Sequence, residues 1–88
     1  MPIILCAPTL FALEVPVYLF KEGQETAFPI GYFQMEKIDE TLFSLAVAHN
    51  ASTIVINGDN EYNRAIASNI RAQIASEYST DKITVIIQ

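Results

Sequence analysis

Charged residues are scarce in this sequence. They make up 17% of its 88 residues, whereas about 25% is usual in soluble domains. A surface with few charges does little to keep neighbouring molecules apart, and 51% of the chain is hydrophobic. We therefore expect a homo-oligomer, and another protein is the further partner that this composition favours.

Basic residues are scarcer still, with five Lys and Arg against ten Asp and Glu, and the net charge is -5. The basic residues are scattered along the chain, at Lys21, Lys37, Arg64, Arg71 and Lys82. A protein that binds nucleic acids through the phosphate backbone needs clustered Lys or Arg. The sequence thus argues against a general nucleic-acid-binding protein.

Cysteine occurs once, at Cys6, so no intramolecular disulfide is possible. Cys6 lies in an apolar run, where a buried and inert thiol is usual. That run, MPIILCAPTLFAL, has no basic residues before it, so we interpret it as a strand and not a signal peptide. No stretch reaches the roughly 18 apolar residues of a membrane span. These absences favour a cytoplasmic protein without a membrane segment.

Motifs that carry catalysis are also missing. The sequence has no CxxC, HExxH, Walker loop or GxGxxG. Cys6 and His49 are the only residues of their types, and their predicted positions on a strand and at a helix end do not pair a thiolate with an imidazole. The sequence leans towards a protein that is not an enzyme, and its carboxylates are the one pattern that favours catalysis.

The apolar pattern predicts a single α/β domain over residues 1–88, in the order β-β-β-α-β-α-β. The first three strands are predicted at residues 2–13, 15–21 and 26–33. Pro8 would have to occupy a bulge or an unpaired edge of the first strand. Pro29 and Gly31 place the third strand at the sheet edge. Short turns between these strands indicate an antiparallel meander.

The second half alternates helices and strands. Apolar residues recur at helical spacing over residues 35–49 and again over 60–78. Asn50 is expected to close the first helix in a left-handed conformation. The β-branched runs at 52–57 and 83–88 flank the second helix, so they should be parallel strands. The sequence therefore predicts one mixed sheet with the helices packed on it.

The segment VINGDNEY, residues 55–62, joins the fourth predicted strand to the second helix. Ligands of open α/β sheets usually bind at this edge. Asp59 is also a good helix N-cap, with Gly58 supplying the bend. We interpret Asp59 as a helix cap first and a candidate ligand second. A small anion held by the free amides of residues 58–61 is a weaker alternative, because Asp59 and Glu61 would repel it.

Three further carboxylates, those of Glu36, Asp39 and Glu40, lie in the first turns of the first predicted helix, where the helix dipole favours negative charge. If this helix packs beside the fourth strand, Glu36 or Glu40 can approach Asp59. Carboxylates that converge in this way hold Mg²⁺ through their oxygens. Such a site activates water for phosphodiester hydrolysis.

These residues resemble the ribonuclease H-like fold, a superfamily with the same order of elements. The segment ETLFSLA, from Glu40 to Ala46, is similar to the first-helix segment that begins with the family's metal-binding Glu. The segment DNEY, from Asp59 to Tyr62, is similar to the family's Asp-x-x-Tyr after the fourth strand. The resemblance implies a nuclease that uses Asp59 with Glu40 or Glu36 and Mg²⁺ or Mn²⁺.

The first strand departs from this family pattern. The family's central metal ligand is an Asp within the first strand, whereas residues 2–13 contain no acid and Glu14 is the first acidic residue. The family's last acidic residue or His, after the fifth strand, has no counterpart up to Gln88. Without the first-strand Asp, two metals cannot be held about 4 Å apart. We therefore predict a small non-catalytic interaction or regulatory domain, such as a viral or plasmid accessory protein, with the reduced nuclease as the alternative.

Overall fold

The described part of the chain folds into five strands and two helices in the predicted order. The computed structural model describes residues 1–77 and 83–88. The strands are β1 (Ile3–Cys6), β2 (Glu14–Phe20), β3 (Phe28–Gln34), β4 (Thr53–Ile56) and β5 (Thr84–Ile87). The helices are α1 (Ile38–Ala48), which a short 3-10 helix (Met35–Lys37) precedes, and α2 (Glu61–Glu77). This confirms the predicted α/β class and the β-β-β-α-β-α-β order.

The five strands form one mixed sheet in the order β3-β2-β1-β4-β5. The pairs β1–β2 and β2–β3 are antiparallel, and the pairs β1–β4 and β4–β5 are parallel. The predicted meander and the predicted parallel strands are thus confirmed. So is the edge position of β3, which contains Pro29 and Gly31. Its pairing with β2 is irregular, with a register shift between Val17 and Tyr18.

The first strand is much shorter than predicted. It ends at Cys6, and the Ala12 amide donates to the Thr9 carbonyl at 3.1 Å, which closes a turn in the following loop. Pro8 lies after the strand, in neither a bulge nor an unpaired edge of it, and a residue without an N–H does not extend the ladder. The prediction of a strand over residues 2–13 was therefore wrong beyond Cys6. In the segment after Cys6, Phe11 and Leu13 are 93% and 88% exposed. Their hydrophobic side chains are therefore not buried, as a strand over this segment would have required.

The helix boundaries follow the predictions closely. The first helical segment begins with the 3-10 turn at Met35, and Asn50 closes it with a φ of 54°, the left-handed conformation expected. The second helix begins at Glu61 and its described part ends at Glu77. Tyr78, where this helix was predicted to end, and the basic residue Lys82 both lie outside the described residues.

Both helices pack on one face of the sheet, which we call the helix face. Alternate strand residues point to this face, and they form one core cluster with the apolar stripes of the helices. From the strands the cluster takes residues such as Ile4, Cys6, Val17, Ile54, Ile56 and Val85, and from the helices Leu42, Ile66, Ile70 and Ile74. The molecule measures 32 × 31 × 21 Å, so its short axis spans one sheet and one helix layer. Among the described residues, no helix is long and apolar enough to cross a membrane.

Candidate functional site

Most acidic residues gather at one edge of the sheet. The strands β1, β3 and β4 end there and β2 begins there, because β1 is parallel to β4 and antiparallel to β2. We call this the carboxyl edge. Six of the ten acidic residues lie on the strand ends, turns and first helical residues along it: Glu14, Glu36, Asp39, Glu40, Asp59 and Glu61. The carboxylates that the sequence analysis singled out therefore lie along this edge.

The junction between β4 and α2 is fixed by backbone hydrogen bonds. The Asn57 amide donates to the Cys6 carbonyl at 2.8 Å, and the Gly58 amide donates to the Gln88 carbonyl at 2.8 Å. Gly58 has a φ of +116°, a conformation that favours glycine, so it supplies the predicted bend. The junction is thus anchored to the residues that end β1 and follow β5, and it leads directly into α2.

The cap of α2 is Asn60 and not Asp59. The Asn60 Oδ1 atom accepts a 2.8 Å hydrogen bond from the Asn63 amide, the N-cap to third-residue bond of a helix start. Because Gly58 turns the chain, Asn60 is the residue immediately before the first helical residue, and Asp59 lies one position too early. The prediction that Asp59 caps the helix was therefore wrong.

Asp59 instead forms an exposed ion pair. Its Oδ1 atom accepts a 2.8 Å hydrogen bond from Nε of Arg64, and both side chains are about 60% exposed. An exposed pair of this kind adds little stability, typically less than about 1 kcal/mol. It does, however, give one carboxylate oxygen of Asp59 a cationic partner from α2.

Asn63 is a buried polar residue that the sequence reasoning missed. It is 1% exposed, and its Nδ2 donates to the carbonyls of Gly58 at 2.9 Å and Asn57 at 3.4 Å. Its Oδ1 has no hydrogen-bond partner within the described chain. The side chain ties the first turn of α2 to the end of β4. The available signal was its position, three residues before Ile66 on the stripe that faces the core.

The carboxylates of the first helix do not all turn towards Asp59. The Asp39 Oδ1 atom accepts from the Glu40 amide at 2.8 Å, and its Oδ2 atom accepts from Nδ2 of Asn69 in α2 at 3.2 Å. This contact joins α1 to α2 more than two turns beyond the start of α2. Glu40 itself is exposed.

A cleft brings other side chains of the carboxyl edge together. It has a volume of about 510 Å³ and is lined by Leu10, Ala12, Leu13, Glu14, Gln34, Met35, Glu36 and Tyr62. Glu36, from the predicted set, thus shares a surface with Tyr62 of the DNEY segment and with Glu14. Neither Asp59 nor Glu40 lines this cleft. Of the three carboxylates predicted to form a site, Asp59, Glu36 and Glu40, only Glu36 therefore lines the cleft.

The residues present do not fit the Mg²⁺ or Mn²⁺ site that the resemblance implies. Across residues 1–77 and 83–88, no three His, Cys, Asp or Glu side chains are grouped to hold a metal ion. The end of β1 carries Cys6 instead of an acid, and burial raises the pKa of the Cys6 thiol to about 11. A neutral, buried thiol is a poor metal ligand, since the thiolate is the form that binds metals.

Comparison with solved structures identifies the architecture. One similar structure is a mutant of the large terminase subunit from bacteriophage Sf6 with calcium, with a TM-score of 0.60 and 14% identity. Another is a mutant nuclease domain of that subunit with manganese and beta-thujaplicinol, with a TM-score of 0.60 and 16% identity. The fold is ribonuclease H-like.

This ribonuclease H-like fold covers the chain almost entirely. The two alignments include 99% of this chain but only 37% and 36% of the terminase chains, so this chain spans little more than a third of their length. At these identities the likeness concerns the fold alone. No family model matches the sequence, and no curated protein matches it.

Proposed function

We propose that this chain is a non-catalytic ribonuclease H-like domain that acts by associating with protein surfaces, including a second copy of itself. The observation that carries the proposal is the carboxyl edge. Asp59 is paired with Arg64 at 2.8 Å, and the end of β1 holds the buried thiol of Cys6. An in-line displacement assisted by two metals needs carboxylates that bridge ions about 4 Å apart. This edge supplies no such set among the described residues.

The surface of the molecule supports a binding role. The loop between β1 and β2 presents Leu10, Phe11 and Leu13 to solvent, and the last two are almost fully exposed. An exposed cluster of large apolar side chains in a chain with few charges marks a contact surface. The cleft beside this loop adds Tyr62, a residue type enriched in interfaces. The arrangement suits contact with a protein much better than contact with a polyanion.

A paired measurement tests this function. Sedimentation equilibrium at micromolar concentration should show a species heavier than the 9.8 kDa chain. The same preparation, given Mg²⁺ or Mn²⁺, should leave single-stranded and double-stranded DNA and RNA intact. Metal-dependent cleavage would contradict the non-catalytic part of the proposal. A monomer at every concentration would contradict self-association.

The second candidate is a reduced nuclease that uses Asp59 with Glu40 or Glu36 and one Mg²⁺ or Mn²⁺. It is favoured by the fold, since one similar structure is a nuclease domain with manganese. This function predicts that Mn²⁺ raises the melting temperature and that Asp59→Asn abolishes both cleavage and the thermal shift. Glu25→Gln is a matched control, because Glu25 is exposed and lies in the β2–β3 loop, away from the carboxyl edge. If Mn²⁺ changes neither property of the unaltered chain, this candidate is eliminated.

A further inference from the structure

The sheet has a second face on which neither described helix packs. Side chains alternate along a strand, so the residues between those of the helix face point the opposite way. We call this second side the open face. Its apolar side chains include Leu5, Tyr18, Phe20, Tyr32, Val55 and Ile86. None of these six belongs to the core cluster between sheet and helices.

The apolar residues of the open face are adjacent to one another. In the strand registers, Leu5 is paired with Tyr18 on β2 and with Val55 on β4. Val55 is paired in turn with Ile86 on β5. Partners in register lie side by side on the same face. Four apolar side chains therefore form a continuous row across β2, β1, β4 and β5.

The open face is almost uncharged. Among its strand residues Glu14 is the one charged side chain, and Glu14 is the first residue of β2, at the rim of the face. The remaining polar side chains there belong to Thr53, Thr84 and Gln34. Tyr32 and Ile86, near its two lateral edges, are 69% and 41% exposed. An apolar face of this kind marks an interaction site.

We propose that the open face packs against the open face of a second copy of this chain. The arrangement is a dimer of four layers, helices, sheet, sheet and helices, in which the two sheets lie about 10 Å apart. The proposal rests on the self-association in the proposed function and names the surface that performs it. A two-fold axis requires one patch that is complementary to itself, and a broad apolar sheet face meets that requirement.

The size and charge of the face fit a second copy. Five strands about 4.8 Å apart, each of four to seven residues, present a face of about 20 by 20 Å. Two such faces remove roughly 1,000 Å² from water, about the lower limit for a specific interface. Each chain carries a net charge of -5, so two copies repel least where charge is absent. A basic partner would instead be matched by the carboxyl edge.

The test places a like charge in both copies of the proposed interface. Ile86→Glu adds a carboxylate at an exposed position in the apolar row, where burial against its symmetry mate is costly. We expect its dissociation constant in sedimentation equilibrium to rise about a hundredfold relative to the unaltered dimer. Val47→Glu is the matched control, with the same charge change at an apolar residue of α1 that is equally exposed, 43% against 41%, and lies outside the open face. Its dissociation constant should stay unchanged.

Each outcome distinguishes this interface from the broader proposal. If the unaltered chain dimerises and Ile86→Glu dimerises equally well, the open face is not the interface while self-association stands. Phe11→Glu tests the loop between β1 and β2 as a rival interface. If it dissociates the dimer and Ile86→Glu does not, the interface lies at that loop. A monomeric unaltered chain overturns this proposal together with the self-association on which it rests. Should circular dichroism show that Ile86→Glu is unfolded, Tyr32→Glu provides the same test on β3.

Discussion

The Asp59 carboxylate accepts a 2.8 Å hydrogen bond from Nε of Arg64, one turn into α2. The next residue, Asn60, uses its side-chain oxygen to cap that helix. The capping role predicted for Asp59 thus belongs to its neighbour, and Asp59 forms an ion pair instead. The capping bond satisfies a backbone amide that has no partner within the helix, whereas the ion pair joins two groups that water solvates well.

The first prediction separates these two roles by stability. Asn60→Ala should lower the free energy of unfolding by about 1 kcal/mol, since the amide of Asn63 loses its acceptor. Asp59→Ala should change it by less than about 0.5 kcal/mol, because the pair with Arg64 is exposed. Urea denaturation at one fixed protein concentration measures both. A larger loss for Asp59→Ala than for Asn60→Ala would show that Asp59 is the functional cap.

The second prediction concerns the bend at Gly58. A Cβ atom added at Gly58 would lie 2.9 Å from Nδ2 of Asn63, and the φ of +116° is unfavourable for other residues. Gly58→Ala should therefore lower the free energy of unfolding by about 1–3 kcal/mol, the usual cost of such backbone strain.

Gly23→Ala is the matched control for this substitution. Gly23 also has a positive φ, of +87°, but a Cβ there meets nothing within 4 Å. Its loss of stability should reflect backbone strain without a steric clash, so it should be the smaller of the two. Equal losses in thermal or urea unfolding would mean that Asn63 moves aside at no cost.

The order of elements was predictable because it depends on local periodicity. The alternation of apolar and polar residues in strands and their helical spacing can both be recognised within short segments of sequence. Pro29 and Gly31 indicate an edge strand whatever the positions of the other strands. The left-handed Asn50 follows in the same way from the end of a helical stripe. Each of these features needs only a few neighbouring residues.

The features that sequence analysis missed depend on contacts between distant segments. Phe11 and Leu13 were predicted to lie in a strand because hydrophobicity alone does not distinguish a buried side chain from an exposed one. The cleft with Glu14, Glu36 and Tyr62 depends on the antiparallel register that sets Glu14 opposite Gln34. Capping by Asn60 in place of Asp59 depends on where the bend at Gly58 ends.

The third prediction uses the buried thiol at the end of β1. Burial raises the pKa of Cys6 from 9.0 to about 11, because the thiolate is poorly solvated in the core. The folded chain therefore keeps its proton at pH values where the unfolded chain has lost it. The stabilisation from this difference is complete below about pH 9 and is lost as the pH rises towards 11.

Unfolding free energies at neutral pH and at about pH 10.5 should reveal this loss when the intact chain is compared with Cys6→Ala. The variant is less stable overall because it leaves a small cavity, but its stability should fall less between the two pH values. All other side chains are the same in the two proteins, so their contributions cancel in the comparison. Equal slopes for the two proteins would show that the Cys6 thiol ionises as readily in the folded chain as in the unfolded one. The thiol would then be accessible to water, and the end of β1 would be open to solvent at the carboxyl edge.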